Sequence, residues 1–399
     1  MRVIVAGGGV AGLALGHGLV KYGVDVEVLE ARSGIEATGY RLHMNADGGN
    51  ALRFLLTPAA YAAYEQTSRR NPRRHVLAIL DENLRERGAR AHIGAPNDRL
   101  VPHTAVNRLT LRQILASALG ERLHHDACVI GYTETADSVT VRLEDGREFT
   151  GDVLVAAEGM GSPVRRQRLG EPEFRDTGEA AIYSRVSYAA LEGLDLPPVL
   201  EDGFILAFDP PGREFTFGPF PPRRPVREVA AELLPGTTLT DVVPYLQVTV
   251  SVPAEGPNAF TQGSVWDADQ SALHTHMVKA VQEWSPVVRD IVDRIDVTSV
   301  SAVPIRGIAT TEPWEPSRVT VVGDAIHGMP PNYGAGANTA LKDAAYLAEH
   351  LLRVADGSDL VEEIGAYEAA MRAYAYPIAN AAQNPASRND ATFVPEPSA

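Results

Sequence analysis

The sequence predicts an α/β protein: a mostly parallel sheet covered by helices, a mixed or antiparallel sheet set into it, and helices at the C-terminal end. Three observations predict this. Short apolar runs at 3–6, 152–157 and 318–322 each lead into a glycine-bearing loop, as buried parallel strands do where a ligand sits at their carboxyl ends. Residues 176–302 alternate apolar and polar positions between Pro/Gly turns, the pattern of antiparallel strands. After Gly336, apolar residues recur at helical spacing through 352 and again from 360 to 374.

Taken in order, the strand at 3–6 runs into Gly7, Gly9 and Gly12, which stand at the G-x-G-x-x-G spacing. The first glycine permits a sharp turn, the second lets backbone approach a pyrophosphate, and the third lets the next helix pack on the strand. That helix, expected over about 11–22, aims its amides and positive dipole end at the phosphates, with Val10 just before it and Ala11 at its start as cofactor-binding candidates. A second apolar strand at 25–29 ends in Glu30, an acid placed to accept hydrogen bonds from both hydroxyls of an adenosine ribose. Strand, glycines, helix, strand and acid in this order make a Rossmann-like dinucleotide unit.

Arg41 follows the second strand, where it can lie near a bound cofactor, and a helix is expected from about 49. Residues 76–80 read as a strand and 85–101 as polar and irregular. An amphipathic helix opens at Val106 and carries Arg108, and a strand meander with a hairpin turn at 144–146 follows it. The strand at 152–157 ends in a second glycine-bearing loop with Glu158 and Gly159. The strand at 318–322 runs directly into Gly323 and Asp324, whose carboxylate can serve a polyol or ribose. Pro330 and Pro331 stiffen the next segment, and Gly334 and Gly336 lead into the helix carrying Ala337 and Asn338. Flat backbone and free amides there suit a ring that becomes anionic on reduction.

Composition sets limits. A formal charge of −15 in 399 residues argues against nucleic acid or an anionic membrane as partner. The run Arg69, Arg70, Arg73, Arg74 reads as a solvated loop or helix end, able to attract an anionic cofactor. Cys128 is the single cysteine, expected buried and inert, so a dithiol reaction is excluded. No metal-ligand spacing stands out, and His124, His125, His274 and His276 read as surface residues. A strand starting at residue 2 leaves no room for a signal peptide, and no apolar run approaches a membrane span, so a cytoplasmic protein is expected.

Three signatures together resemble the flavoprotein aromatic monooxygenases of the p-hydroxybenzoate hydroxylase type. They are the glycine motif ending in Glu30 and Arg32, the middle loop with Gly159, Ser162, Val164 and Arg165, and the stretch from Gly323, Asp324 and His327 to Pro331, Gly334, Gly336 and Asn338. The R-x-x-L pattern from Arg108 to Leu111 also matches the family. The resemblance implies that Gly7, Gly9, Gly12, Glu30 and Arg32 hold the ADP half of FAD. It also implies that Arg108 contacts the cofactor, that Asp324 serves the ribityl and pyrophosphate region, and that Pro331, Gly334, Gly336, Ala337 and Asn338 line the isoalloxazine. The family carries Asp where this chain has Glu158, which keeps the charge and reaches one methylene further. No catalytic side chain is assigned, because the flavin carries the chemistry; Arg41 is the one candidate.

The implied reaction has NAD(P)H visiting transiently to reduce FAD, and O2 forming a C4a-hydroperoxide that hydroxylates an electron-rich aromatic or polyketide-like small molecule in a dry pocket. Epoxidation and Baeyer–Villiger oxidation use the same flavin species. A non-redox binding protein or cyclase with FAD as a structural prop is the alternative from another class. A flavin halogenase is disfavoured, since Trp266, Trp284 and Trp314 are never paired in a W-x-W-x-I-P motif. The expected organisation is an FAD-binding domain from 1–70, 101–175 and 303–385, a substrate-binding domain from 71–100 and 176–302, and a loosely held tail at 386–399, in a monomer or weak homodimer.

Overall fold

The computed structural model describes residues 1–35, 41–92, 94, 103–210, 212–331 and 334–384. The expected tail at 386–399 lies outside these residues, as does the whole stretch 95–102.

The chain folds around a five-stranded, fully parallel sheet in the order Val319–Val321, Val153–Ala156, Arg2–Ala6, Asp25–Leu29, Leu123–His124. Its central strands are apolar on both faces because helices cover both. Val3, Ile4, Val5 and Ala6 are all sealed from solvent, as are Val153 to Ala156. The helices Val10–Lys21, Ala46–Leu55, Gly336–Ala355 and Leu360–Gln383 enclose this sheet and share its core. A three-stranded antiparallel meander, Val129–Glu134, Val139–Leu143 and Glu148–Gly151, leads into the second parallel strand.

A seven-stranded sheet with its own core forms the other layer, in the order Ser301–Ile308, Phe174–Ser187, Tyr245–Pro253, Glu214–Phe220, Phe204–Phe208, Leu77–Asp81, Glu86–Arg90. It is antiparallel except where Phe204–Phe208 runs parallel to Leu77–Asp81. Ser301–Ile308 and Phe174–Ser187 extend beyond 302 and before 176, so this sheet is wider than the alternating sequence between them. A small ribbon, Arg41–Met44 against Thr104–Asn107, lies between the two systems.

Local readings differ from the sequence expectation at four places. The helix expected from about 49 begins at Ala46, because the Asn45 side chain accepts from the amides of Asp47 (3.1 Å) and Gly48 (3.4 Å) and caps it there. Residues 85–101 are not all irregular: Glu86–Arg90 is an edge strand whose polar residues hide its period. The segment from Val106 is first a strand, Thr104–Asn107, and the helix Arg108–Ala116 starts only where Asn107 caps it. The final helix does not end near 374 but passes through Pro377 to Gln383. Packing offsets the hydrogen bond that proline removes: Ala379 and Ala382 are fully buried, and Gln383 donates to the Ile308 carbonyl at 2.9 Å.

Candidate functional site

The glycine loop is built as its spacing demands. Gly7 adopts φ +105°, and a Cβ there would lie 2.5 Å from the Ala157 carbonyl oxygen, so no other residue fits. Its amide donates to the Leu29 carbonyl at 2.7 Å, which ties the loop to the second strand. The helix Val10–Lys21 starts at Gly9 with no side-chain cap, leaving its first-turn amides for a ligand. Val10 is half-buried and Ala11 is buried behind them.

Glu30 is 9% exposed, with Oε1 accepting from the Arg32 amide at 3.0 Å. The Arg32 side chain itself is exposed. Oε2 of Glu30 faces Nη2 of Arg112 at 3.4 Å, and the same nitrogen donates to the Gly8 carbonyl at 2.8 Å. Sequence reasoning missed Arg112. Its signal was available, since it stands one turn beyond Arg108 on the same helix face. Arg108 is held down by burial first and by Arg112 and Arg32 next, against the attraction of Asp324, so these groups share one electrostatic neighbourhood.

Glu158 projects beside the glycine loop. Its Oε2 accepts from the Ser162 hydroxyl at 2.6 Å, while Oε1 is sealed and has no partner. Ser162 is spent twice, because its oxygen also caps the helix Pro163–Leu169 by accepting from the Arg165 amide at 3.0 Å. Burial pushes the Glu158 carboxyl up to about 7, although the Ser162 bond works against it. A carboxyl raised in this way is protonated in the folded chain while it ionises in the unfolded one. Between its ordinary range and pH 7, folding therefore loses stability as pH rises. Glu158→Gln is expected to remove that slope, so that the variant gains on the wild type between about pH 5 and 8. Urea midpoints at several pH values check this; parallel profiles would show that Glu158 ionises freely.

Asp324 follows Gly323, which adopts φ +62° and lies against Ala11 and Ala340. That contact brings the end of the last parallel strand against the start of the glycine-loop helix. The Asp324 side chain is open to the crevice yet surrounded by protein at longer range, and burial raises its carboxyl despite His327 and Arg108. It makes no hydrogen bond with any described residue. Behind it stands a buried support absent from the sequence expectation. Asp343 accepts from the Gly323 amide at 2.7 Å and pairs with His327 Nε2 at 2.6 Å through one oxygen, and accepts from the Tyr374 hydroxyl at 2.7 Å through the other.

The Gly334–Asn338 stretch closes the crevice. Gly334 takes φ +63° against His43, Gly336 and Ala337 are half-buried, and Pro331 is exposed. Asn338 is 1% exposed, and its amide is fully engaged. Nδ2 donates to the carbonyls of His43 (2.8 Å) and Gly334 (3.0 Å), and Oδ1 accepts from the Asn45 amide at 3.0 Å. Asn338 thus fastens the small ribbon to the loop. Arg41 stands on that ribbon and points to the seven-stranded sheet, not to the glycine loop: it donates to the Gly203 carbonyl at 3.1 Å.

The basic run is a loop that is only partly solvated: Arg70 and Arg73 are exposed, whereas Arg69 is 4% exposed and Arg74 half-buried, and Arg73 and Arg74 both hold the buried carboxylate of Asp202. Tertiary pairing overrides the usual fate of clustered arginines here. The four histidines read as surface residues are all half-buried, and His124 lies on a strand, paired with Glu27 at 2.6 Å. Cys128, expected buried, is half-buried just before the strand Val129–Glu134; its free thiol is pushed up by burial and Glu144, in the direction of low reactivity. Among the described residues, no group of His, Cys, Asp or Glu could hold a metal ion, and no helix is long and apolar enough to cross a membrane.

The features that a dinucleotide needs fit these residues: an uncapped helix start, a loop that admits no Cβ at Gly7 or Gly12, a buried acid and an unspent carboxylate. Known proteins agree. The chain is 27% identical to the aurachin C monooxygenase/isomerase of Stigmatella aurantiaca, over 88% of this chain and 80% of that protein. It is also 27% identical to a dual O-methyltransferase/FAD-dependent monooxygenase of Cercospora beticola, over 93% of this chain but only 44% of that longer protein. The crystal structure of a protein provisionally described as an FAD-containing monooxygenase from Photorhabdus luminescens superposes with a TM-score of 0.81, at 26% identity and with 98% of each chain covered. The family described as FAD binding domain matches residues 1–382. This chain belongs to that family of FAD-binding proteins.

Proposed function

We propose that this protein is an FAD-dependent monooxygenase that takes reducing equivalents from NAD(P)H and inserts one atom of O2 into an electron-rich aromatic small molecule, the other leaving as water. Bound FAD would supply both hydride acceptance and oxygen activation. The observation that carries the reading is the unspent Asp324 carboxylate, set by Gly323 against Ala11 at the start of the uncapped glycine-loop helix.

In this reading Gly7, Gly9, Val10, Ala11 and Gly12 cradle the pyrophosphate, Glu30 accepts from the adenosine ribose, and Arg32, Arg108 and Arg112 balance the phosphates. Glu158 and Gly159 flank the same loop. Asp324 serves the ribityl chain, and Pro331, Gly334, Gly336 and Ala337 border the ring. Asn338 acts at one remove, by holding the loop in place. The seven-stranded sheet then roofs the ring and excludes water, and the chain divides into a cofactor domain and a substrate domain near the boundaries read from the sequence.

Asp324→Ala tests this. The purified variant is expected to keep its fold, read by circular dichroism, and to lose most of its bound FAD, read as the flavin-to-protein absorbance ratio. Unchanged occupancy, or FMN instead of FAD released from the wild type on denaturation, would overturn the assignment. NADPH oxidation stimulated by an aromatic ligand, with oxygenated product identified by mass spectrometry, separates the enzyme from a protein that merely contains FAD.

A further inference from the structure

A group of cations and imidazoles on the sheet side of the crevice is left unexplained by cofactor binding. Alternation along Arg41–Met44 sends Arg41 and His43 to one face and buries Met44 on the other. Arg41 donates to the Gly203 carbonyl at 3.1 Å, and its guanidinium lies 5.3 Å over the Phe204 ring. Its Nε is buried without a partner. Arg69 donates to the same carbonyl at 3.0 Å, and its Nε is likewise buried and unpartnered. The nearby carboxylate, Asp202, is already committed to Arg73 and Arg74. Among the described residues, Arg41 has no carboxylate partner.

Three rings adjoin these cations. His43 Nε2 and His103 Nδ1 are 3.1 Å apart, and His92 stacks on His43 at 4.7 Å between centroids. Burial, together with neighbouring histidines and arginines, pushes His92 down to about 3 and His43 well below the usual range, while burial and His75 push His103 down to about 4. At neutral pH these rings are uncharged and offer hydrogen bonds only. Burial brings Arg41 down only to about 10, so it keeps its charge. Two guanidiniums sharing one carbonyl, with no anion of their own among the described residues, form a costly arrangement that an anionic ligand would relieve. The group abuts the cofactor side, since Asn338 holds the His43 carbonyl and Gly334 packs on the His43 side chain.

We infer that this crevice recognises a planar aromatic substrate through an acidic oxygen, a carboxylate or an ionised enol or phenol, with Arg41 as its counter-cation and His43 and His103 as neutral hydrogen-bond partners. The planar aromatic rests on the monooxygenase reading; the demand for an anion rests on the surroundings of Arg41.

Calorimetric titration of the FAD-loaded protein at neutral pH tests it with two pairs of probes. These are 2-naphthoate against 2-naphthamide, and 2-hydroxy-1,4-naphthoquinone, ionised at that pH, against its neutral 2-methoxy ether. In the wild type, the anion of at least one pair is expected to bind about tenfold or more tightly than its neutral partner. Arg41→Met is expected to erase that preference and Arg41→Lys to keep part of it, both with FAD content unchanged. The inference falls if no anion is preferred by the wild type, including the case where no probe binds, or if Arg41→Met keeps the preference. It also falls if Arg41→Met loses FAD or NADPH binding instead, which would make Arg41 a cofactor cation. NADPH oxidation stimulated only by neutral aromatics would refute the anion site and leave the monooxygenase reading intact. Anion preference with no NADPH oxidation under any ligand would do the reverse.

Discussion

Gly12→Ala is expected to give a folded protein that retains almost no FAD. A Cβ at Gly12 would lie 2.0 Å from the Gly7 carbonyl oxygen and 3.2 Å from both the Gly7 carbonyl carbon and Val5 Cγ1. The main obstacle is backbone, so no rotamer relieves it, and the glycine loop must move by on the order of 1 Å to restore a normal contact. Gly7 has little room to retreat, because Ala157 and Glu158 backbone stands against it on the other side. Displacement of that size misaligns the helix-start amides from any phosphate, and an affinity loss of about a hundredfold or more is expected. Flavin content after gel filtration and the Kd of added FAD measure it. Gly34→Ala is the control, since a Cβ there meets nothing within 4 Å. Equal FAD binding by the two variants would show that the loop does not hold the cofactor.

Asp343→Ala is expected to produce the largest loss of stability of any single change at the site. One buried carboxylate serves the Gly323 amide, the His327 ring and the Tyr374 hydroxyl, all away from solvent. Removing it strands three polar groups at once, and breaking a buried ion pair from one side costs about 3–5 kcal/mol. Flavin should loosen as well, because Gly323 leads directly into Asp324. Burial opposes a charged His327, yet the attraction and hydrogen bond of Asp343 raise the ring above its ordinary range. A raised histidine adds stability that is fully present below about pH 6.5 and is lost as pH climbs through the folded value. The stability gap between wild type and variant should therefore narrow above pH 6.5 without closing, since the bonds to Gly323 and Tyr374 remain lost. Denaturation midpoints across pH 5.5–8.5 test this; a gap independent of pH would mean that His327 is neutral throughout.

Much of the proposed cofactor site was legible because its parts are local. Gly12 is required by the Gly7 carbonyl within the same loop, Gly7 by its positive φ, and Glu30 by the length of one helix and one strand. Gly323 and Asp324 follow a buried strand directly. Arg112 was missed although it carries the same helical phase as Arg108, because only the folded chain shows that the Gly8 carbonyl and Glu30 lie opposite it. Asp343 was missed for a firmer reason: nothing in a helix that reads as amphipathic marks which acid turns inward. Arg41 was noticed beside the cofactor strands, but its partners Gly203, Phe204 and Arg69 come from distant parts of the chain.

By itself, the sequence determined the parallel sheet, the glycine loop, the acid that ends the second strand and the family to which the chain belongs. These depend on backbone conformation and on periodicity over a few residues. Tertiary structure alone decided that Asn338 is a fastener, that Asp343 carries the Asp324 loop, and that Arg73 and Arg74 of the arginine run are held by the buried Asp202. Those outcomes depend on which charges and carbonyls meet across long chain separations, where burial multiplies the cost of an unmatched polar group and so selects its partner.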